Sequence, residues 1–306
     1  MAGIAEIFIA DATDRSAGAK RVCGNIGLPD FSGSEIALKA NFNSADPSPA
    51  STHIDMLDSL CTTILAEKPG KLTLAERSGM GNTRSVLDEC GVIALAKERG
   101  FSVVVLDELD RTGWKEIQAP GLHWSRGFFI AGVFTRADRV VQTCCLKTHR
   151  FGGHFTMSLK NSVGLVAKRV PGVNYDFMGE LHGSPHQRLM IAEINKFYRT
   201  DVVVMDATEG FTTGGPDKGK IIRPGVIIAG TDRVAIDAVG VALLRSYGTM
   251  RDVMEGRIFE QDQIARAAEL GIGAASAADI RLSPLDKTAE AIADRIQVQL
   301  DADRDS

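Results

Sequence analysis

Between Cys144 and Leu165 the chain reads CCLKTHRFGGHFTMSLKNSVGL, which sets Lys147, His149, His154, Lys160 and Asn161 among glycines and small polar residues. An ammonium group in such a stretch anchors an anion, an imidazole acts as general base or metal ligand, and a second ammonium lowers the pKa of its neighbours by proximity of charge. The stretch follows the apolar-rich ADRVVQTCCL, so Lys147 is expected where a buried strand reaches the surface. Ligands of α/β proteins collect at such strand ends. Lys147, His149 and Lys160 are therefore the candidate catalytic groups, with Asn161 as a candidate binding group. The bland alternative is a surface loop with ordinary solvated lysines. Cys144 and Cys145 are adjacent, so on a strand they point to opposite faces and only one reaches such a site.

Partners are expected from elsewhere in the chain. Asp206 and Glu209, after the apolar VVVMDA, form a carboxylate pair able to hold a metal or orient a histidine. His182 and His186 are four apart, as on a metal-binding helix face, but Gly183 and Pro185 stand between them and argue against a helix. The expected metal ligands are His149, His182 and Asp206, and the expected metal is a divalent transition ion. The loops Gly79 to Arg84 and Gly210 to Lys220 present backbone N–H groups and basic side chains suited to a phosphate or carboxylate. Neither spells GxGxxG or GxxxxGK[ST], so no nucleotide motif is present, and turns that need positive φ explain the glycines equally well. Asn41, Arg84, His182 and Glu209 complete the expected contacts to a small anion.

The elements that must position these residues alternate in type. Strands are expected at Ile4 to Ala10 and Ser34 to Leu38, joined by a Gly-rich connection, then a polar loop from Lys39 to His53 and a helix capped by Thr52. KLTLAE, from Lys71 to Glu76, is a strand, Ser85 to Arg99 a helix, and Phe101 to Leu106 a strand buried on both faces. Residues 107 to 136 read as a hairpin-like excursion or cap. Further strands are expected at Arg139 to Leu146, Asp201 to Ala207 and Pro224 to Gly230, with helices at Met157 to Val166, Gln187 to Tyr198, Val234 to Tyr247, around Phe259 to Leu270 and from Lys287 to Asp303. TEGFTTGGPDKGK reads as a loop. This order predicts an α/β fold: a mainly parallel sheet with helices on both faces and Rossmann-like halves. The chain is expected to form a single α/β unit over 1–306, or two intimate lobes, about 1–136 and 137–306, with the site between them.

Composition narrows the function classes. With 306 residues, 44% hydrophobic and 24% charged, the chain buries a full core. Its net charge of −4 gives no basic surface for a phosphate backbone, so nucleic acid is not an expected partner. No apolar run approaches the roughly 20 residues of a membrane span, and the N-terminus has no basic region followed by an apolar one, so neither membrane nor export is expected. The five cysteines are scattered without CxxC spacing, which argues against disulfides, a zinc ribbon or an iron–sulfur cluster and for a reducing cytoplasm. No partner protein is named by any motif.

Several pieces in this order resemble the "domain of unknown function 362" family: KANFNSADPSPASTH, SGMGNTR, LKTHRFGGHFTMSLKNSVGLV, VVVMDATEGFTTGGPDKG and PGVIIAGTDRVAIDAVGVALL. The resemblance implies recurrent polar positions at Asn41, Lys147, Thr148, His149, Thr156, Lys160, Asn161, His182, Asp206, Glu209, Asp232 and Asp237, and leaves His154 and His186 outside the pattern. Some members of that family carry ferredoxin-type modules; none is expected here, and no iron–sulfur role carries over. Asn82-Thr83-Arg84 before a helix, then His149-x4-His154-x5-Lys160, resembles the layout of the nickel-pincer lactate racemase family. That second resemblance implies a nickel-bearing nucleotide cofactor and a hydroxy acid. The expectation is a cytoplasmic enzyme acting on a small anionic substrate, a carboxylate or phosphate, with a metal or organometallic cofactor. The alternative is a non-catalytic protein that binds and delivers a metal or cofactor.

Overall fold

A computed structural model of the chain describes residues 3–118 and 120–305. The first part runs β1 (Ala5–Asp11), α1 (Arg15–Asn25), β2 (Glu35–Lys39), α2 (Ile54–Ala66), β3 (Lys71–Glu76), α3 (Thr83–Glu89), α4 (Val92–Arg99) and β4 (Ser102–Val105). A two-stranded hairpin, β5 (Trp114–Ile117) with β6 (Phe128–Ala131), and the short α5 (Gly132–Arg136) form the expected excursion. Then come β7 (Arg139–His149), β8 (His154–Phe155), α6 (Ser158–Asn161), α7 (Phe177–Gly183), α8 (Gln187–Ile194), β9 (Val202–Gly214), β10 (Gly219–Ile222) and β11 (Val226–Gly230). The last part is α9 (Arg233–Ser246), α10 (Arg251–Met254), α11 (Asp262–Glu269), β12 (Ile280–Pro284) and α12 (Lys287–Asp305).

The main sheet has ten strands, eight of them in the order β12-β1-β11-β9-β7-β2-β3-β4. Every neighbouring pair along this path is parallel except the two made by β11. Alternate residues of one strand enter different cores, as a period of two requires. Leu38, Leu74, Val141 and Val204 join the cluster beneath α1, α2 and α4, whereas Ala37, Ala75, Val140 and Val203 face the other way. That other face is covered by α9, α11 and α12 over one end of the sheet and by α8 with the β5–β6 hairpin over the other. The strands are near-continuous apolar runs because both faces are covered. From β2 the chain winds outward through β3 and β4, and from β7 it winds the opposite way to β9, so the strand order reverses between β2 and β7.

Several local expectations are corrected. The Gly-rich connection contains α1, capped by Asp14, whose carboxylate accepts from Ala17 N–H at 3.0 Å. Its Gly18 weakens the helical pattern but is required by packing, since a Cβ there would lie 2.6 Å from the Asp11 carbonyl oxygen. The helix expected over Ser85 to Arg99 is broken into α3 and α4 at Gly91, which has φ +78°. His53, not Thr52, occupies the α2 cap position, and Thr52 instead accepts from Asn41 N–H at 2.9 Å. β4 is an edge strand with Ser102 exposed, so it is not buried on both faces. β11 is antiparallel because β9 does not end at Ala207. It continues to Gly214 and returns through β10, so the segment expected as a loop is mostly hairpin.

Candidate functional site

Lys39 is the last residue of β2, Glu76 the last of β3 and His149 the last of β7, so three adjacent parallel strands deliver polar groups to one edge of the sheet. This is the carboxyl edge, at the point where the strand order reverses, where open α/β sheets leave a crevice. A cleft of about 1280 Å³ opens there. Its walls come from both sides of residue 136. They include Lys39, Asn41, Glu76 and Arg77 from the first half and Lys147, His149, Lys160, Asn161 and His182 from the second. Seven Lys and Arg side chains line it against three Asp and Glu, so the lining is cationic in a chain whose net charge is −4.

β7 carries Lys147 and His149 outward because it stays paired beyond the sheet's usual edge, Leu146 opposite Gly210 and Lys147 opposite Phe211. The two share a face, and Thr148 between them points away, where its hydroxyl donates to the Phe211 carbonyl at 3.2 Å. The Lys147 ammonium donates to Asn41 Oδ1 at 2.7 Å and to the Ala50 carbonyl. Burial, with Lys39 nearby, moves its pKa down. Lys160 and Asn161 stand on α6, whose first N–H groups, of Ser158 and Leu159, donate to the buried Asp237 carboxylate at 2.7 and 3.0 Å. That carboxyl, pushed up to about 7 by burial, ties α6 to α9.

Lys160 is 8% exposed. Burial lowers its pKa to about 7, and the charges acting on it, Lys147 and Arg77, are both positive and push the same way. His149 is pushed far below its ordinary value by burial first, then by Lys160 and Lys147, so its ring is neutral. Its Nδ1 is buried without a hydrogen-bond partner. Gly153 packs against both groups: a Cβ there would lie 2.8 Å from Lys160 Cε and 2.9 Å from His149 Nδ1. His182 is on the short α7, which ends at Gly183 so that His186 falls outside it as expected, and shares a 2.9 Å hydrogen bond between its Nδ1 and Gln187 Nε2. Burial and Lys160 lower its pKa as well.

Beneath these lies a pair the motif reading missed. Lys39 donates to both Glu76 oxygens, at 2.7 and 2.8 Å, and to Asn161 Oδ1 at 3.0 Å. Glu76 Oε1 also accepts from Arg77 N–H at 2.8 Å, and the Arg77 guanidinium donates to the Val163 carbonyl at 2.6 Å while its Nε stays buried and unpartnered. Burial moves Lys39 down and Glu76 up, and their mutual attraction opposes both shifts. The available signal was a charged residue closing each of two apolar strands, IALK and LTLAE, before polar loops.

Other candidates lie apart from the cleft. Arg84 is exposed and bound to Glu108, with Nε to Oε1 at 2.7 Å. Asp206 is buried against Arg15 at 2.8 Å, and Glu209 pairs with Arg223 at 2.9 Å beside a separate depression of about 790 Å³. The set His149, His182 and Asp206 is therefore not assembled, because Asp206 belongs to that second region. Among the described residues no group of three or more His, Cys, Asp or Glu is arranged to hold a metal ion. Among them, too, no helix is long and apolar enough to cross a membrane.

The fold and the cleft define a doubly wound α/β protein with a cationic cleft at the strand-order reversal. A model of the family described as Domain of unknown function (DUF362) matches residues 36–242, and the chain belongs to that family. No curated protein matches the chain. Among solved structures it is similar to the lactate racemase apoprotein from Thermoanaerobacterium thermosaccharolyticum, at 16% identity and a TM-score of 0.47, over 75% of this chain and 54% of that one. The chain thus spans about half the length of that racemase.

Proposed function

We propose that the protein is an enzyme that binds a small organic anion in the cleft and moves a proton on it. Lys160 is the base and neutral His149 the hydrogen-bonding partner of the charge that develops. The observation that carries the reading is the buried Lys160 beside the unpartnered His149 Nδ1, with only positive charges acting on the lysine. An amine titrating near 7 is free to accept a proton at neutral pH, whereas an imidazole held neutral is a weak base but a sound hydrogen-bond donor. The roles expected for His149 and Lys160 from their types thus exchange. Lys147 and Arg77 supply fixed positive charge, Asn161 is held by Lys39, and His182 by Gln187.

A metal or organometallic cofactor of the kind the racemase resemblance implies would find His149 Nδ1 as a free donor but, among the described residues, no surrounding set of His, Cys, Asp or Glu. That donor set does not fit a metal held by protein side chains, and the proposed proton transfer uses Lys160 and His149.

Titration calorimetry with acetate and with inorganic phosphate tests binding, and proton NMR in deuterium oxide tests exchange at carbon next to a carboxylate. We expect binding of at least one anion, weakened in Lys160→Met, with exchange only in the wild type. No binding of either anion overturns the reading. Binding without exchange across a panel of organic acids favours the delivery alternative.

A further inference from the structure

The cleft is larger than a small acid requires, and its charge is unevenly compensated. At about 1280 Å³ it exceeds the roughly 300–1,000 Å³ that encloses a drug-sized ligand. Lys39 is matched by Glu76 in the floor, and three more of its basic side chains are matched by carboxylates: Lys168 with Asp107 at 3.5 Å, Arg169 with Asp176 at 3.6 Å and Arg188 with Asp262 at 2.7 Å. These three are partly exposed, whereas Arg77, Lys147 and Lys160 are buried and, among the described residues, form no carboxylate ion pair. Positive charge left over for a ligand therefore sits deep in the cleft.

Apolar groups occupy the outer part. Phe151, on the turn between β7 and β8, is 53% exposed, and Met80, on the loop between β3 and α3, is 43% exposed. Both line the cleft. Large apolar side chains this open to water are few among the described residues, and here two from different loops border one opening. The Phe151 ring is held over the site, with the Arg150 guanidinium 4.4 Å from its centroid and the His149 ring 5.8 Å away. Met178 joins the apolar wall to the charged floor, its sulfur 3.3 Å from the Arg77 guanidinium.

We propose that the ligand is an amphipathic organic anion, a medium-chain or aryl-bearing acid. Its charged head lies against Arg77 and Lys147 beside Lys160, and its apolar body extends outward along Met178, Met80 and Phe151. The inference rests on the anion reading of the cleft and adds the ligand's class. A short acid fills only the floor and leaves the outer walls in water. Each methylene that those walls remove from water strengthens binding by up to about fourfold.

Titration calorimetry on the whole chain with acetate, octanoate and octanol tests this, in the wild type and in a Met80→Ser/Phe151→Ser double variant. Both positions are open enough for serine to leave the melting temperature in place, which thermal unfolding checks. We expect octanoate to bind about ten- to a hundredfold more tightly than acetate, octanol to bind weakly, and the double variant to bring octanoate down toward acetate. Acetate and octanoate binding alike would overturn the amphipathic ligand and leave the anion site standing, as would an undiminished octanoate preference in the double variant. Octanol binding as well as octanoate would reduce the preference to apolar adhesion and overturn the assignment. No binding of either acid would overturn the anion site itself.

Discussion

Two groups of polar residues sit at the carboxyl edge of one sheet and differ in how their charge is matched. Within β9, Asp206 pairs with Arg15 of α1 and Glu209 with Arg223, so the region is compensated within the chain. At the ends of β2, β3 and β7, the Lys39–Glu76 pair is compensated, but Lys147, Lys160 and Arg77 are buried beside it and, among the described residues, form no carboxylate ion pair. Buried charge costs free energy unless something matches it. Position towards the carboxyl edge of the sheet is common to both regions, so position does not separate them. Unmatched charge does, and it is the property an arriving anion would use.

The largest expected effect tests the matched part of the cleft. Glu76→Ala leaves the Lys39 ammonium buried without its partner and should destabilise the protein by about 3–5 kcal/mol in urea unfolding. A loss near that of a surface pair would show that Lys39 finds other partners. The next test reads the unmatched charge through pH. The Lys160 pKa is about 7 in the folded protein against an ordinary 10.5, so between these values the unfolded chain binds a proton that the folded chain has released. Stability should therefore rise with pH from about 7 to 10.5 by up to a few kcal/mol. Lys160→Met should flatten that rise; an unchanged slope would assign it to other groups.

Binding gives the third comparison. Lys160→Met should weaken an anion that binds the wild type by about ten- to a hundredfold, the worth of one charge-assisted hydrogen bond. Glu209→Gln and Arg84→Ala, whose charges are matched elsewhere, should leave that affinity within about twofold and stability within about 1 kcal/mol. Equal losses in both groups would erase the distinction between the two regions. The smallest effect concerns shape. Gly153→Ala should weaken the anion about two- to tenfold by pushing the flexible end of Lys160 and crowding His149, with most of the stability kept. Unchanged binding would show that the two groups need not stay in contact with Gly153.

Much of the frame was legible in the sequence. The runs FSVVVL, DVVVMDA and PGVIIAG could only be strands, and Asp232 before VAIDAVGVALL marked a helix start, where it accepts from Val234 and Ala235 N–H at 2.8 and 2.9 Å. The Lys147–His149 string was found for the right residue types but with one wrong premise. The strand runs past Lys147 to His149, and its continued pairing with β9 turns Thr148, a binding position the family resemblance implies, to the opposite face. The direction of β11 was not legible, because an apolar run reads alike in either orientation and only the β9–β10 hairpin reverses the chain.

By itself the sequence determined the alternation of strand and helix, the two-sided burial of the strands and the presence of Lys147, His149, Lys160 and Asn161 within one short stretch. These follow from local spacing and from apolar content that has to be buried. The tertiary structure decided which distant charges meet. It brought Glu76 to Lys39 and Arg77 to Val163, and it left Asp206 with Arg15 and Lys160 with no carboxylate among the described residues. Neutralisation is a relation between side chains on different strands, and the order and register of those strands are fixed only when the sheet has formed.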